Sequence, residues 1–169
     1  MNEIREIVTR AVVAKGKKVL NLVEKVKTNE KPYSILGCWI INHEFEASKV
    51  NEVVKLDGEF EINIWFSTNN NTKTDIIREV ITYKKEIATK TVVKDFLENT
   101  EDILARIVQH PTVTNAKVIE DTVQVDISFE IIVEIIGETK MKVTVFTEAE
   151  TWEEEIDTLD MDIKENFLG

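Results

Sequence analysis

From Val123 to Ile135 every second residue is apolar. Val123, Val125, Ile127, Phe129, Ile131, Val133 and Ile135 alternate with Gln124, Asp126, Ser128 and Glu130. A helix of period 3.6 would mix these two sets, whereas a strand sends them to opposite faces. Near the end of the run Ile132 and Ile136 make the outer face apolar as well. Gly137 then predicts a turn, with Met141, Val143 and Val145 alternating against Lys140, Lys142 and Thr144 in a returning strand.

A second alternation lies in the first half of the chain. Leu56, Phe60, Ile62 and Ile64 point one way, and Glu59, Glu61 and Asn63 the other. The three asparagines within Thr68 to Asn71 tolerate left-handed turn geometry. A further strand over about Asp75 to Ile87 completes a hairpin. Val19 to Lys27 reads as a strand, with Leu20, Leu22 and Val26 on one side. Ser34 to Ile41 reads as a strand that is apolar on both faces.

Two segments carry helical signals. Ile4, Ile7, Val8, Ala11 and Val12 recur at three- and four-residue spacing, which predicts a short amphipathic helix ended by Gly16. Thr100 is a suitable N-cap for a helix over Glu101 to Gln109. Ile103, Leu104, Ile107 and Val108 would form its apolar face, and His110-Pro111 would stop it. The expected class is mainly β, with antiparallel sandwich-like sheets, a short N-terminal helix, one interior helix and an acidic C-terminal tail. The two strand clusters, 32–90 and 112–146, have similar shape and suggest an internal duplication, joined by a helix at 100–110. The expected organisation is a basic head at 1–31, a β-rich body at 32–146 and the tail at 147–169.

Charge follows that division. The chain has 169 residues and a net charge of −11. Glu148 to Glu165 holds nine acids and one base, Lys164, and so carries −8. Residues 1–31 hold eight Lys/Arg and four Glu, a local +4. Such a balance favours head-to-tail or tail-to-partner attraction at close range, or simply tunes solubility. An acidic chain argues against a nucleic-acid partner. One cysteine, Cys38, permits no intrachain disulfide. The N-terminus has no signal-peptide pattern and no run approaches a membrane span, so a cytoplasmic protein without direct membrane insertion is expected.

The chemical inventory is thin. Cys38 and His43 lie five residues apart, which on a regular strand puts them on opposite faces. Cys38 reads as a small buried hydrophobe and His43 as a strand-end residue. No zinc spacing and no glycine-rich phosphate loop is present, so no catalytic, metal or cofactor-binding residue is assigned. Trp39 reads as core. Trp65 falls on the face of Glu59, Glu61 and Asn63, so it is either a surface contact or covered by a loop, the N-terminal helix or a bulge. In the tail, Trp152, Ile156, Leu159 and Ile163 are spaced four, three and four residues apart, along one helical face. Glu153, Glu154 and Glu155 lie among them. This set could dock its apolar stripe in a partner's groove while basic groups neutralise the acids. The alternatives are a helix packed on its own domain and an acidic terminus without structure.

Five blocks in order resemble a known family. They are AVVAKGKK (Ala11 to Lys18), SILGCWIINHEFEA (Ser34 to Ala47), GEFEINIWFSTNNNTKT (Gly58 to Thr74), ILARIVQHP (Ile103 to Pro111) and IVEIIGETKMK (Ile132 to Lys142). In order and spacing they look like the CotE family, the outer spore coat morphogenetic proteins of endospore-forming bacteria. The resemblance runs from the N-terminus to about residue 146, and the tail matches the family's acidic terminus in character, though it looks shorter and less densely acidic. It implies a non-enzymatic scaffold that is made in the mother-cell cytoplasm and assembles into the coat on the forespore surface. Such a protein self-associates as a homo-oligomer and recruits other spore coat proteins. The resemblance supplies no catalytic residues. A small β-rich ligand-binding module is the first alternative, and it would require a deep apolar pocket with convergent polar groups. An enzyme using scattered acids is the second.

Overall fold

A computed structural model describes residues 2–146. Seven strands run in chain order: β1 (Asn2–Lys27), β2 (Pro32–Val50), β3 (Val53–Thr68), β4 (Lys73–Ala88), β5 (Lys90–Thr91), β6 (Asp102–Ile119) and β7 (Thr122–Phe146). They form two sheets, ordered β5-β1-β7-β6 and β2-β3-β4. The pairings β1–β5, β2–β3, β3–β4 and β6–β7 are antiparallel.

No helix occurs among the described residues, and both expected helices are strands. The N-terminal one lies within β1 and the interior one within β6. In β6 the inward set is Ile103, Ala105 and Ile107, opposite Ile135, Val133 and Ile131 of β7. A small inward residue, Ala105, and apolar outward residues, Leu104 and Val108, disguise this alternation. Thr100 does not cap a helix. Its hydroxyl donates to the Leu97 carbonyl at 2.7 Å and accepts from the Glu138 amide at 3.0 Å. Pro111 sits inside β6, where the register with β7 shifts between Gln109 and Thr112. Proline is tolerated there because a bulge has no ladder hydrogen bond to lose.

Two glycines also behave differently from the expectation. Gly137 does not turn the chain; β7 runs through it to Phe146. Gly16 does not end an element either. A Cβ there would meet the Ala88 carbonyl at 2.5 Å and Ile87 Cγ2 at 2.9 Å, so its bare backbone is what lets β1 approach the end of β4.

The described residues divide into two compact units, one of residues 2–9 with 139–146, the other Arg10–Glu138. In the first, Ile4, Val8, Met141 and Phe146 are exposed, and Arg5 pairs with Glu3 at 3.1 Å. The second holds the core. Leu20, Leu22 and Val26 of β1, Leu56, Phe60, Ile62, Ile64 and Phe66 of β3, Ile81 and Tyr83 of β4, and the alternating set of β7 from Val123 to Ile135 form one buried cluster. The two sheets thus share a single apolar layer, the sandwich arrangement. A buried aliphatic or aromatic side chain contributes roughly 1.5–3 kcal/mol, so this layer is the main source of cohesion.

β3 and β4 form the hairpin read from the sequence, in uninterrupted register from Thr68–Lys73 to Val53–Ala88. Asn69, Asn70 and Asn71 take positive φ at its turn, as does Asn51 between β2 and β3. The Asn71 Oδ1 accepts from the Ser67 and Ser34 hydroxyls at 2.5 and 2.9 Å, tying the turn to β2.

Candidate interaction surface

β2 is an edge strand whose register against β3 shifts three times, the last at Asn42. Before Asn42, Cys38 and Ile40 face the core, in register with Ile64 and Ile62, while Trp39 and Ile41 face out. At Asn42 φ is +55°, and the register with β3 shifts between Ile41 and Glu44. This bulge adds one residue, so His43, Phe45 and Ala47 face inward after it. Cys38 and His43 therefore share a face, contrary to the regular-strand expectation. The residue that reverses the parity is an asparagine, one of the few types that enter left-handed geometry cheaply.

Inside the sandwich His43 meets an aromatic cluster. Its Nε2 is 2.6 Å from the Tyr83 hydroxyl, its ring stacks on Phe45 at 5.4 Å, and it meets Phe129 of the opposite sheet edge-on at 5.5 Å. Nδ1 is buried with no partner among the described residues. Burial, and secondarily the charge of His110, lower the His43 pKa below its ordinary 6.5, so the ring is neutral in the fold. Burial pushes Tyr83 up to about 12 and the half-buried Cys38 thiol up to about 11. A thiol so shifted is a poor nucleophile, and the neutral imidazole is held between aromatic rings and the Tyr83 hydroxyl. Among the described residues no three His, Cys, Asp or Glu side chains gather to hold a metal.

The outer face of the β2-β3-β4 sheet is different. Register sets Trp39 beside Asn63 and Asn63 beside Arg78, and sets Gly37 beside Trp65 and Trp65 beside Ile76. One row further, Ile41, Glu61 and Val80 lie abreast. Both tryptophans are 42% exposed. A Cβ on Gly37 would meet the Trp39 ring at 3.4 Å and the Trp65 ring at 3.9 Å, so both indoles lie against this glycine. The expected core position of Trp39 is thus corrected. It lies one residue out of phase with Cys38 and Ile40, in a segment whose two faces are both apolar, so periodicity could not sort it.

Asn63 lies between these groups and is only 2% exposed, although the alternation predicts a solvated residue. Its Nδ2 has no partner among the described residues. Leaving such a donor unpaired costs about 1–3 kcal/mol. Two half-exposed tryptophans over an unsatisfied amide, ringed by Ile41, Ile76 and Val80, form the kind of aromatic patch enriched at protein contacts. The signal in the sequence was the pair of tryptophans, of which only Trp65 could be assigned outward.

Toward the other end of the same sheet an open depression is lined by Glu44, Phe45, Glu46, Asp57, Gly58, Glu59, Thr82 and Lys84. Charged, open walls differ from the deep apolar pocket that a ligand-binding module requires. The tail residues Trp152, Glu153, Glu154, Glu155, Ile156, Leu159 and Ile163 lie outside the described residues.

A family model described as outer spore coat protein E (CotE) matches residues 3–168. The match takes in nearly the whole chain, tail included, and the chain belongs to this family. It is a family of structural spore coat proteins, and membership marks the chain as a coat protein that works among other coat proteins on the spore surface. No curated protein and no solved structure matches the chain.

Proposed function

We propose that this member of the CotE family is a non-enzymatic morphogenetic scaffold of the spore coat, which self-associates around the forespore and recruits outer coat proteins by protein–protein contacts. It is made in the mother-cell cytoplasm and laid down on the forespore surface. The observation that carries the reading is the outer face of the β2-β3-β4 sheet. There Trp39 and Trp65 stand half exposed, ringed by the exposed Ile41, Ile76 and Val80. A partner chain that covers the indoles would bury apolar surface that is now half exposed. The acidic tail supplies a second kind of contact. Trp152, Ile156, Leu159 and Ile163 provide an apolar stripe, and Glu153, Glu154 and Glu155 attract a basic partner.

The test is the mass of the purified protein across a concentration series, for the full chain and for a version ending at Phe146. The same defined oligomer in both would assign self-association to the β body and leave the tail for partners. A full chain that stays monomeric at high micromolar concentration would overturn the scaffold reading.

A further inference from the structure

Each outermost strand of a sheet offers unpaired backbone groups to another chain, and folds usually blunt such edges. Three of the edges here are blunted. β2 carries register shifts at Pro32/Ser34, Ile35/Gly37 and Ile41/Glu44. β6 carries three more, with Pro111 among them. β5 is two residues long and pairs β1 only at Ala14 and Lys15, beyond which that margin presents Lys17, Lys18, Lys25 and Lys27. β4 alone is straight: 16 residues, no proline, and no register shift against β3.

We infer that β4 is the self-association edge, and that two copies pair antiparallel through it about a two-fold axis at Thr82. This rests on the self-associating reading above and names the surface. The register follows from the side chains. An axis passing between residues would set an inward side chain beside an outward one, so the axis must pass through a residue. About Thr82, Arg78 meets Glu86 and Glu79 meets Lys85, each twice by symmetry. On the inward face Ile81 meets Tyr83, and the paired stretch ends at Glu86, because Gly16 of β1 already lies against Ile87 and the Ala88 carbonyl. About Ile81, one step away, Arg78 faces Lys84, a like-charge pair. About Glu79 or Lys84 that residue faces its own copy. About Val80 only Asp75 and Lys85 pair with opposite charge, and about Tyr83 Glu79 loses its cation to face Ile87. Thr82 is the axis that matches both charge and apolarity.

The pairing joins two three-stranded sheets into one of six strands. It carries the outward Ile76 and Val80 across the seam, so the tryptophan faces of both copies share one surface. Lys18 Nζ donates to the Glu86 carbonyl at 3.1 Å, a solvent-exposed contact that an incoming strand displaces at small cost.

The test uses the full chain in sedimentation equilibrium. Arg78→Glu and Glu86→Arg, both at exposed positions, are each expected to weaken dimerisation roughly tenfold, and the double swap to restore it. Under mild oxidation Thr82→Cys is expected to cross-link to its own copy, whereas Thr74→Cys, far from the axis, is not. Circular dichroism on each variant separates lost pairing from lost fold, and the swap variant supplies the rescue. If the wild-type chain associates and neither reversal alters its dissociation constant, the edge assignment is wrong and self-association belongs to another surface. If the wild-type chain is monomeric throughout, the self-associating reading itself falls.

Discussion

The His43 imidazole and the Tyr83 hydroxyl, 2.6 Å apart, join β2 to β4 directly although β3 lies between them. Gly58 makes this possible. It pairs with Phe45 on one side and Tyr83 on the other, and a Cβ at that position would fall on the Tyr83 ring and hydroxyl. The glycine is required for space and not for a special φ, since no glycine in the described residues has positive φ.

Gly58→Ala is therefore expected to push Tyr83 out of the cluster and break its bond to His43. Overpacking of this kind costs about 1–3 kcal/mol, read as a lower denaturation midpoint in urea. Tyr83→Phe should give little rescue, because the ring carbons Cζ and Cε1 clash with the added methyl as the hydroxyl does.

Acid is expected to destabilise the fold through His43 before the carboxylates titrate. The folded-state pKa is lowered, so the unfolded chain binds the proton more readily. The neutral ring's contribution is complete above the unfolded value of about 6.5 and is lost as pH falls through it toward the folded pKa. Melting temperature against pH should fall below about 6.5 in the wild type, and this step should vanish in His43→Gln. An identical step in both proteins would remove His43 as its cause.

Cys38 is expected to be nearly inert to alkylation in the native protein. A thiol with pKa of about 11 is only about one part in a thousand thiolate at pH 8. Iodoacetamide should therefore react roughly a hundredfold faster after unfolding in urea, as followed by mass spectrometry.

The outer tryptophans separate stability from assembly. Trp39→Ala and Trp65→Ala each remove a side chain that is already 42% exposed, so each is expected to cost only about 1–2 kcal/mol of stability. Contact affinity should fall about tenfold or more, as expected of aromatic anchors. Equal losses in both measurements would make these residues structural supports and not contacts.

The sheets were legible wherever one face is apolar and the other polar, as in β7 from Val123 to Glu130 and β3 from Glu59 to Ile64. Legibility failed where exposed positions are also apolar. Ile4 and Val8 are exposed on β1, and Leu104 and Val108 on β6, so three- and four-residue spacings arose by accident and imitated helices. Tertiary pairing overrode them. At Cys38 and His43 the missing information was phase. A left-handed Asn42 inserts one residue into β2, and a two-residue period carries no signal of such a slip. The burial of Asn63 arises from neighbours on both adjacent strands, which no local pattern records.

If β4 is the pairing edge proposed above, three irregular or guarded margins and one straight one would give the β body a contact valence of one along its hydrogen-bonding direction. A particle of valence one closes into pairs and then stops. A layer around a spore needs a particle that can be linked further, so growth must draw on bonds of another kind, perpendicular to the strands. On that proposal the edge would set the size of the building block, while the tryptophan face and the acidic terminus would set how blocks are mortared together.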